Sequence, residues 1–437
     1  MTKVKWSDFH IRVPVDADSV AIKSTLTGAV VRMSVTDEAE LERQLSGGEV
    51  TSAIQSLAQP EVGLLVSADR DEYAAWRERL VGRRNNEAHI FILHFLPTIQ
   101  CQLACGYCFE NGGDRMRGMS DKVIDATRLW LSNYLDQHPE IDAFRLVLFG
   151  GEPLLRKDIV EKGLVAAHSL AAERRLDFWT ELVSNGELLD EATAEMLSTH
   201  QWLRVQITLD GPEDIHNARR PGKHGRQTFC NVIAAIKMLV STDYIKKVDI
   251  RISLDHANAD RIPELIEYLA SLGAQDRMNL SLGLITPTLD RPARLRWDEE
   301  RALGEKAVSI WAVAQAHGFA IPDEFVTGPW CVAIAKHAAI LQPDGALQKC
   351  FCTAGRAEYD FGTVADTPGE YLRDERFESW RRTDQCIQER CAFLPICGGG
   401  CIHDAMVAAG GPGGGAERFC QKPLIKVYNE GLLKLNY

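Results

Sequence analysis

The sequence predicts an α/β protein centred on a partial (β/α)6 TIM-like barrel, with a small winged-helix-like unit before it and a cysteine-rich part after it. Three observations lead there. From His89 to about residue 290, short apolar runs alternate with amphipathic stretches, the pattern of strands joined by helical crossovers. The first 85 residues contain no cysteine. Of the 12 cysteines, three fall between 101 and 108 and eight between 331 and 420, leaving Cys230 alone.

In the first part, Val20 to Val35 reads as a hairpin turning at Thr27-Gly28. Thr36, with Asp37 and Glu38 behind it, is a helix start. A short helix around Thr51 to Leu57 leads to the apolar Leu64-Leu65-Val66, and Asp71 opens a helix running toward Arg83. Arg83-Arg84-Asn85-Asn86 reads as a polar linker. The expected barrel strands are His89–Leu96, Phe144–Phe149, Phe178–Val183, Leu203–Leu209, Val248–Leu254 and Asn279–Ile285. Between them lie the helical stretches Lys122–Leu135, Ile159–Ala172, Glu191–Leu197, Thr228–Leu239 and Ile262–Leu272. Ile285-Thr-Pro-Thr is turn-like, and a bridging helix, Trp297 to His317, leads into the cysteine-rich part. The expected divisions are therefore 1–85, 89–296 and 297–437, which suits a chain of 437 residues. The run from Gly410 to Gly415 lacks the preceding strand and following Lys-Ser/Thr of a phosphate-binding loop and reads as a linker.

Composition narrows the partners and the compartment. A net charge of -12 argues against a nucleic-acid partner. No apolar run reaches the length of a membrane span, and the N-terminus lacks a signal-peptide core. The expectation is a cytoplasmic protein whose cysteines are metal ligands in a reducing medium rather than disulfides.

The chemistry starts at Cys101-x3-Cys105-x2-Cys108, directly after the first expected strand. A structural zinc site wants four protein ligands. A [4Fe–4S] cube held by three cysteines leaves one iron open. With Tyr107 just before the last cysteine, this loop resembles that of radical S-adenosylmethionine (SAM) enzymes. Phe149-Gly150-Gly151-Glu152-Pro153 resembles the family's GGE-P stretch, which implies that Gly150, Gly151 and Glu152 support the SAM amino group. Ser184-Asn185-Gly186 resembles the family's TNG turn, read either as facing the ligand or as a turn alone. Thr208-Leu209-Asp210-Gly211-Pro212, with His216 and Arg220, resembles the SLDGP…H…R segment. That match implies Thr208 at the ribose and Arg220 at the SAM carboxylate, with the adjacent Arg219 as its rival. The resemblance implies reductive cleavage of SAM to a 5′-deoxyadenosyl radical, with the cofactors carrying the chemistry.

Further on, Cys331 is followed by Gly345-x4-Cys350, then Cys386-x4-Cys391-x5-Cys397-x3-Cys401, then Cys420. This resembles the SPASM domain, an iron–sulfur extension of peptide-modifying radical SAM enzymes, departing from its pattern where Cys386-x4-Cys391 replaces the usual x2. The resemblance implies two auxiliary [4Fe–4S] clusters, three clusters in all. Cys386, Cys391, Cys397 and Cys420 would take the outer one; Cys331, Cys350 and Cys401 would take the inner one. Cys352 is the candidate fourth inner ligand, because residues i and i+2 of an extended segment share a face; a buried free thiol and a zinc set are the competing readings. Cys230 is expected in a core, His403-Asp404 on the surface, and Trp130, Trp179 and Trp202 in a core.

The N-terminal unit resembles the precursor-recognition domain (RRE) of maturases for ribosomally made, post-translationally modified peptides (RiPPs), which binds a leader peptide as an added strand; the alternative is a structural cap. The expected function is an oxidoreductase installing an intrapeptide crosslink, carbon–carbon or thioether. Its expected partners are a precursor peptide and an electron donor such as flavodoxin or ferredoxin, with no nucleic acid and no membrane. The first alternative is an anaerobic sulfatase-maturating-type enzyme oxidising Cys or Ser to formylglycine. Against it stand the 100 or so residues before the triplet and Phe351, where those enzymes carry an acid. A non-enzymatic iron–sulfur electron carrier is the alternative of another class, and it gives the GGEP and LDGP…R motifs no purpose.

Overall fold

The computed structural model describes residues 3–48, 51–78, 89–110, 118–285, 297–326, 331–369, 372, 374, 383–409 and 420–437. The expected linker at 83–86, the turn at 286–288 and the glycine-rich run at 410–415 lie outside them.

The N-terminal unit opens with β1 (Val4–Trp6), β2 (His10–Pro14), β3 (Ser19–Ser24) and β4 (Val30–Ser34). β2, β3 and β4 form an antiparallel sheet in that order, while β1 pairs antiparallel with β5 (Leu65–Ser67). The β3–β4 turn is the expected hairpin, with Gly28 at φ 81°, a conformation that costs glycine little. The helix that follows, Val35–Gly47, is capped by Ser34, whose Oγ accepts from the Asp37 amide at 3.0 Å, not by Thr36 as the sequence suggested. Thr51 caps helix Ser52–Leu57 in the same way, and residues 72–78 are helical.

The central sheet contains β6 (Ile90–Phe95), β7 (Ala143–Leu148), β8 (Asp177–Ser184), β9 (Trp202–Thr208), β10 (Val248–Leu254) and β11 (Met278–Leu284). These six strands are parallel and lie side by side in sequence order. β12 (Ala338–Leu341) adds to the free edge of β6 in parallel; β13 (Ala346–Gln348) and β14 (Gly362–Thr363) follow antiparallel. The sheet is open, since no pairing joins β11 to β6 among the described residues.

The crossover helices Asp121–Gln137, Lys157–Arg174, Glu191–Ser198, Phe229–Ser241 and Ile262–Ala270 match the amphipathic stretches. A further helix, Glu213–Arg219, falls in the LDGP…R segment, which the sequence reading left without an element. One sheet face buries Leu146, Leu182, Val205, Ile250 and Leu282 against these helices. The other face is polar. There Arg145 donates to Glu181 (2.7 Å), Arg204 pairs with Asp249, and Asn279 donates to Asp249 (2.9 Å), spanning β7 to β11.

The bridging helix Trp297–Ala316 packs on the C-terminal helix Lys422–Asn436, where Trp311 Nε1 donates to the Tyr428 hydroxyl at 2.5 Å. The C-terminal helix also packs against β2 and β3. Phe9, Ile11, Tyr73 and Trp76 of the N-terminal unit share a core with Cys386, Cys391, Phe393 and Leu433. No helix among the described residues is long and apolar enough to cross a membrane.

Candidate active site

The site lies where the C-terminal ends of β6 to β10 meet their loops. The Cys101–Cys108 loop leaves β6 and is laced to the chain beyond Arg220. The Ala104 amide donates to the Pro221 carbonyl, the Lys223 amide to the Gln102 carbonyl (both 2.8 Å), and Leu103 bridges Gly222. Cys101, Cys105 and Cys108 are all partly accessible. Burial pushes the Cys101 thiol up to about 12 and raises that of Cys105. A metal centre here would therefore displace protons on binding.

The glycines of the GGE stretch serve a backbone approach, but to the cysteine loop. Gly150 has φ 124°, and a Cβ there would lie 2.3 Å from the Thr98 carbonyl oxygen. A Cβ on Gly151 would lie 2.3 Å from the Ile99 oxygen and 2.4 Å from that of Gln100. The Gly151 amide donates to Thr98 O (3.2 Å) and the Glu152 amide to Gln100 O (2.9 Å).

Glu152 is fully buried, and its oxygens are engaged. They accept from the Leu154 amide (3.0 Å), the Asn185 amide (2.8 Å) and the Ser184 hydroxyl (2.9 and 3.0 Å). Burial pushes its carboxyl up to about 7 against these hydrogen bonds and the nearby Arg220. In this arrangement Glu152 orients the Ser184-Asn185 turn. Asn185 in turn donates to Cys101 Sγ (3.6 Å) and accepts from Gln102 (3.2 Å).

Across the site, Tyr107, Asp210 and Arg220 form one network. The Tyr107 hydroxyl donates to Asp210, and Arg220 Nη1 donates to that hydroxyl. Asp210 is fully buried and accepts from the Ser253 amide (2.8 Å), while its own amide donates to His216 Nδ1 (3.3 Å). Burial, then Arg220, depresses the His216 imidazole to about 3, keeping it a neutral acceptor. Arg219 is committed elsewhere: its guanidinium pairs with Asp255 at 3.0–3.1 Å and donates to Ser253 O. Nε lacks a partner in both arginines, but both Nη groups of Arg219 are engaged whereas Arg220 donates only through Nη1, so Arg220 is the arginine of the pair with more donor capacity left for an anionic ligand. Thr208 ends β9 in register with Arg251 of β10, whose guanidinium lies across the space a Cβ on Gly283 would fill. Asp210 and His216 are the residues that sequence reasoning passed over as framework; their place inside the LDGP…H segment was the available signal.

Beside the triplet stands an aromatic group. Phe109 stacks on Phe149 (6.5 Å), both rings contact Phe351 (6.0 and 5.5 Å), and His94 stacks on Phe351 (6.3 Å). Next to it, Glu110 is buried with Oε1 lacking a partner, and burial pushes its carboxyl up to about 8.

The C-terminal cysteines gather in two places. Cys350 and Cys352 are hydrogen-bonded to each other, and Cys331 and Cys401 join the same cluster of side chains. The Cys352 thiol holds the Cys350 pKa down, the hydrogen bond with Cys350 and then burial raise that of Cys352, and burial raises that of Cys401. Residues Phe351–Thr353 form a 3-10 turn, so the extended-segment argument for Cys352 does not apply; the tight turn brings the two sulfurs together instead. Cys386, Cys391, Cys397 and Cys420 line one small cavity with Phe393, Leu394 and Lys422. The extra residues between Cys386 and Cys391 are taken up by the end of helix Thr383–Gln388 and by Arg390 in a left-handed conformation (φ 47°). Two expectations fail. Cys230 is exposed on its helix rather than in a core, and His403 and Asp404 are buried rather than on the surface. Trp130 and Trp202 are buried as expected; Trp179 is half-buried.

Residues 95–269 match the radical SAM superfamily, so the chain carries a radical SAM domain. The chain is 25% identical over 329 residues to a PqqA peptide cyclase of Granulibacter bethesdensis, covering 72% of this chain and 82% of that protein. It is 32% identical over 144 residues to a cysteine-type anaerobic sulfatase-maturating enzyme of Clostridium perfringens, covering 32% of this chain and 37% of the relative. Among solved structures, the fold resembles anSMEcpe with bound AdoMet (TM-score 0.62, 18% identity, 78% of this chain and 95% of that one). It also resembles Streptococcus suis SuiB bound to precursor peptide SuiA (TM-score 0.52, 14% identity, 95% of this chain and 99% of that one).

Two outcomes test this geometry. Gly151→Ala should displace the cysteine loop and remove about four irons per chain, one cube, from anaerobically reconstituted protein, read by iron analysis; an unchanged iron content would refute the packing. For Glu152, whose ordinary pKa of 4.5 rises to about 7 in the folded state, folded protein binds more protons than unfolded protein between those values. This group's contribution to stability therefore falls as pH rises through that window. Urea midpoints of cluster-free protein should show that decline in wild type and a flatter profile in Glu152→Gln; parallel profiles would refute it.

Proposed function

We propose that this chain is a radical SAM oxidoreductase that matures a ribosomally made precursor peptide in the cytoplasm, installing an intrapeptide carbon–carbon or thioether crosslink. The observation that carries this reading is an open strand edge outside the radical SAM domain. β4 borders the N-terminal sheet without a further strand among the described residues, whereas β2 and β3 lie against the C-terminal helix. An edge of this kind accepts a peptide as an added strand, with main-chain pairing for affinity and side-chain pockets for specificity. The similarity to a PqqA peptide cyclase and to SuiB with its precursor peptide agrees with a peptide substrate. In this reading residues 1–85 are the winged-helix-like recognition unit, 89–296 the partial barrel and 297–437 the bridge and SPASM domain.

The residues present fit the implied cofactors. Cys101, Cys105 and Cys108 would hold the cube that binds SAM, the inner and outer cysteine sets would hold two more, and electrons would come from a flavodoxin or ferredoxin. Bound together, the first cube and SAM would supply the radical chemistry for hydrogen abstraction from an unactivated carbon. Around them, Arg220 would take the SAM carboxylate, held in place by Tyr107 and Asp210. Gly150 and Gly151 hold the cysteine loop, Glu152 fixes the Ser184-Asn185 turn, and Thr208 would face the ribose. The aromatic group around Phe351 excludes water from the reacting centre.

The sulfatase-maturating reading is favoured by the 32% match within the domain. It lacks the acid it needs, because Phe351 occupies that position and packs against Phe109 and Phe149.

Replacing Cys101, Cys105 and Cys108 together by alanine should abolish 5′-deoxyadenosine formation from SAM and dithionite under anaerobic conditions; cleavage at the wild-type rate would overturn the radical SAM mechanism here. For recognition, a leader peptide in excess should compete with the full precursor, with micromolar affinity or somewhat tighter. Unimpeded modification under saturating leader would reduce the N-terminal unit to a cap.

A further inference from the structure

The N-terminal unit grips the loop that carries two of the outer cysteines. Arg390, beside Cys391, pairs with Asp8; Asp384, just before Cys386, pairs with Arg77. The Thr25 hydroxyl donates to the Ala392 carbonyl at 2.5 Å. Inside this ring of polar ties, Phe9, Tyr73 and Trp76 pack in one core with Cys386 and Cys391.

Tyr73 stands out within that core. It is 4% exposed, with its ring edge-on to Phe9 (4.7 Å) and under the Arg390 guanidinium (5.5 Å). Its hydroxyl is buried and has no hydrogen-bond partner. A buried hydroxyl without a partner is costly and calls for an explanation. The neighbouring acids do not provide one. Glu72 is taken by the Ser7 hydroxyl (2.6 Å) and the Asp8 amide (2.7 Å), and Asp8 is taken by Arg390. The remaining polar neighbour is Cys391, which shares this core and directly follows the Arg390 that covers the tyrosine ring.

We propose that Tyr73 donates a hydrogen bond to the sulfur shell of the outer iron–sulfur site at Cys391, so that the N-terminal unit backs that site. The proposal rests on the reading of Cys386, Cys391, Cys397 and Cys420 as the ligands of a [4Fe–4S] cluster. The four line one cavity, and the orphaned hydroxyl lies in the core that backs it. Tyr73 is then a positioning residue: it acts on the cluster, and through it on electron flow, without touching substrate. The same sheet whose β4 edge is open packs against the cysteine loop, so the peptide-recognition surface and the outer cluster belong to one mechanical unit.

Hydrogen bonds to cluster sulfurs raise the reduction potential. Tyr73→Phe keeps the ring and removes only the donor. In anaerobically reconstituted holoenzyme it should leave iron at about twelve per chain, three cubes of four. An EPR-monitored redox titration should show one of the three midpoints moved to a more negative potential and the other two unmoved. In deuterated buffer, pulsed EPR of the reduced outer cluster should lose one exchangeable-proton coupling in the variant. Three midpoints coincident with wild type, or an unchanged set of couplings, would overturn the role of Tyr73 while leaving the cluster in place. A wild type holding about eight irons would overturn the outer cluster and the proposal with it.

Discussion

The site depends on one close approach of two loops. β6 and β7 run parallel in strict register, so their C-terminal exits leave the sheet side by side. At that point the Gly150–Gly151 backbone lies directly against the carbonyls of residues 98–100, too near for any side chain. This contact places the last residues before Cys101, and it places Glu152 beneath them. The buried carboxylate then holds the β8 exit at Ser184 and Asn185, and Asn185 reaches back to Cys101. Three strand ends are locked to one another before any ligand is considered. On the far side, Tyr107 carries the same loop to Asp210 and Arg220 at the exit of β9. The cysteine triplet is thus supported from both flanks by groups that are themselves buried, the pre-organisation that a reactive centre needs.

The polar face of the sheet follows from a different constraint. Arg145, Glu181, Arg204, Asp249 and Asn279 alternate along their strands with residues buried under the helices. A register slip of one residue would turn each charge into the apolar layer and each apolar side chain out of it. The network therefore penalises mispairing strongly even where its individual ion pairs add little to stability.

Most of this was legible because the central strands obey a simple rule. Ile90–Phe95 is a largely apolar run and Val248–Leu254 alternates apolar with polar residues, both are bounded by turns, and each is followed by a helical period. Legibility failed where structure depends on a partner far along the chain. β12, β13 and β14 are four, three and two residues long, and β12 exists because β6 leaves an edge free for it. Glu213–Arg219 has only seven residues and takes its place from His216, which is buried to serve the Asp210 amide, so no amphipathic period marks it. In the C-terminal region, spacing predicted which cysteines would converge, but not the 3-10 turn that brings Cys352 to Cys350. Cys230 and His403 were misread for one reason: a single residue's exposure is set by which helix face meets a neighbour, and a short apolar stretch does not encode that.

The same long-range dependence bears on how the chain divides into parts. Sequence alone suggests a recognition unit joined to a catalytic core by a polar linker. The packing argues for closer integration, because Lys23 of β3 donates to the Asp323 carbonyl at 2.7 Å, Arg32 of β4 donates to the Tyr437 carbonyl at 2.7 Å, and Phe9 is buried in a core shared with Cys391. Removing the first 85 residues would bare an apolar surface around two candidate iron ligands, and the resulting loss of activity would not distinguish failed recognition from a damaged cluster. Counting iron in the truncated chain separates the two, since only a damaged cluster loses metal. In the proposed peptide maturase, a unit that borders an open strand edge and packs against the loop of two candidate iron ligands would have a physical route for coupling peptide binding to electron transfer. The Thr25–Ala392 hydrogen bond joins that sheet directly to the cysteine loop.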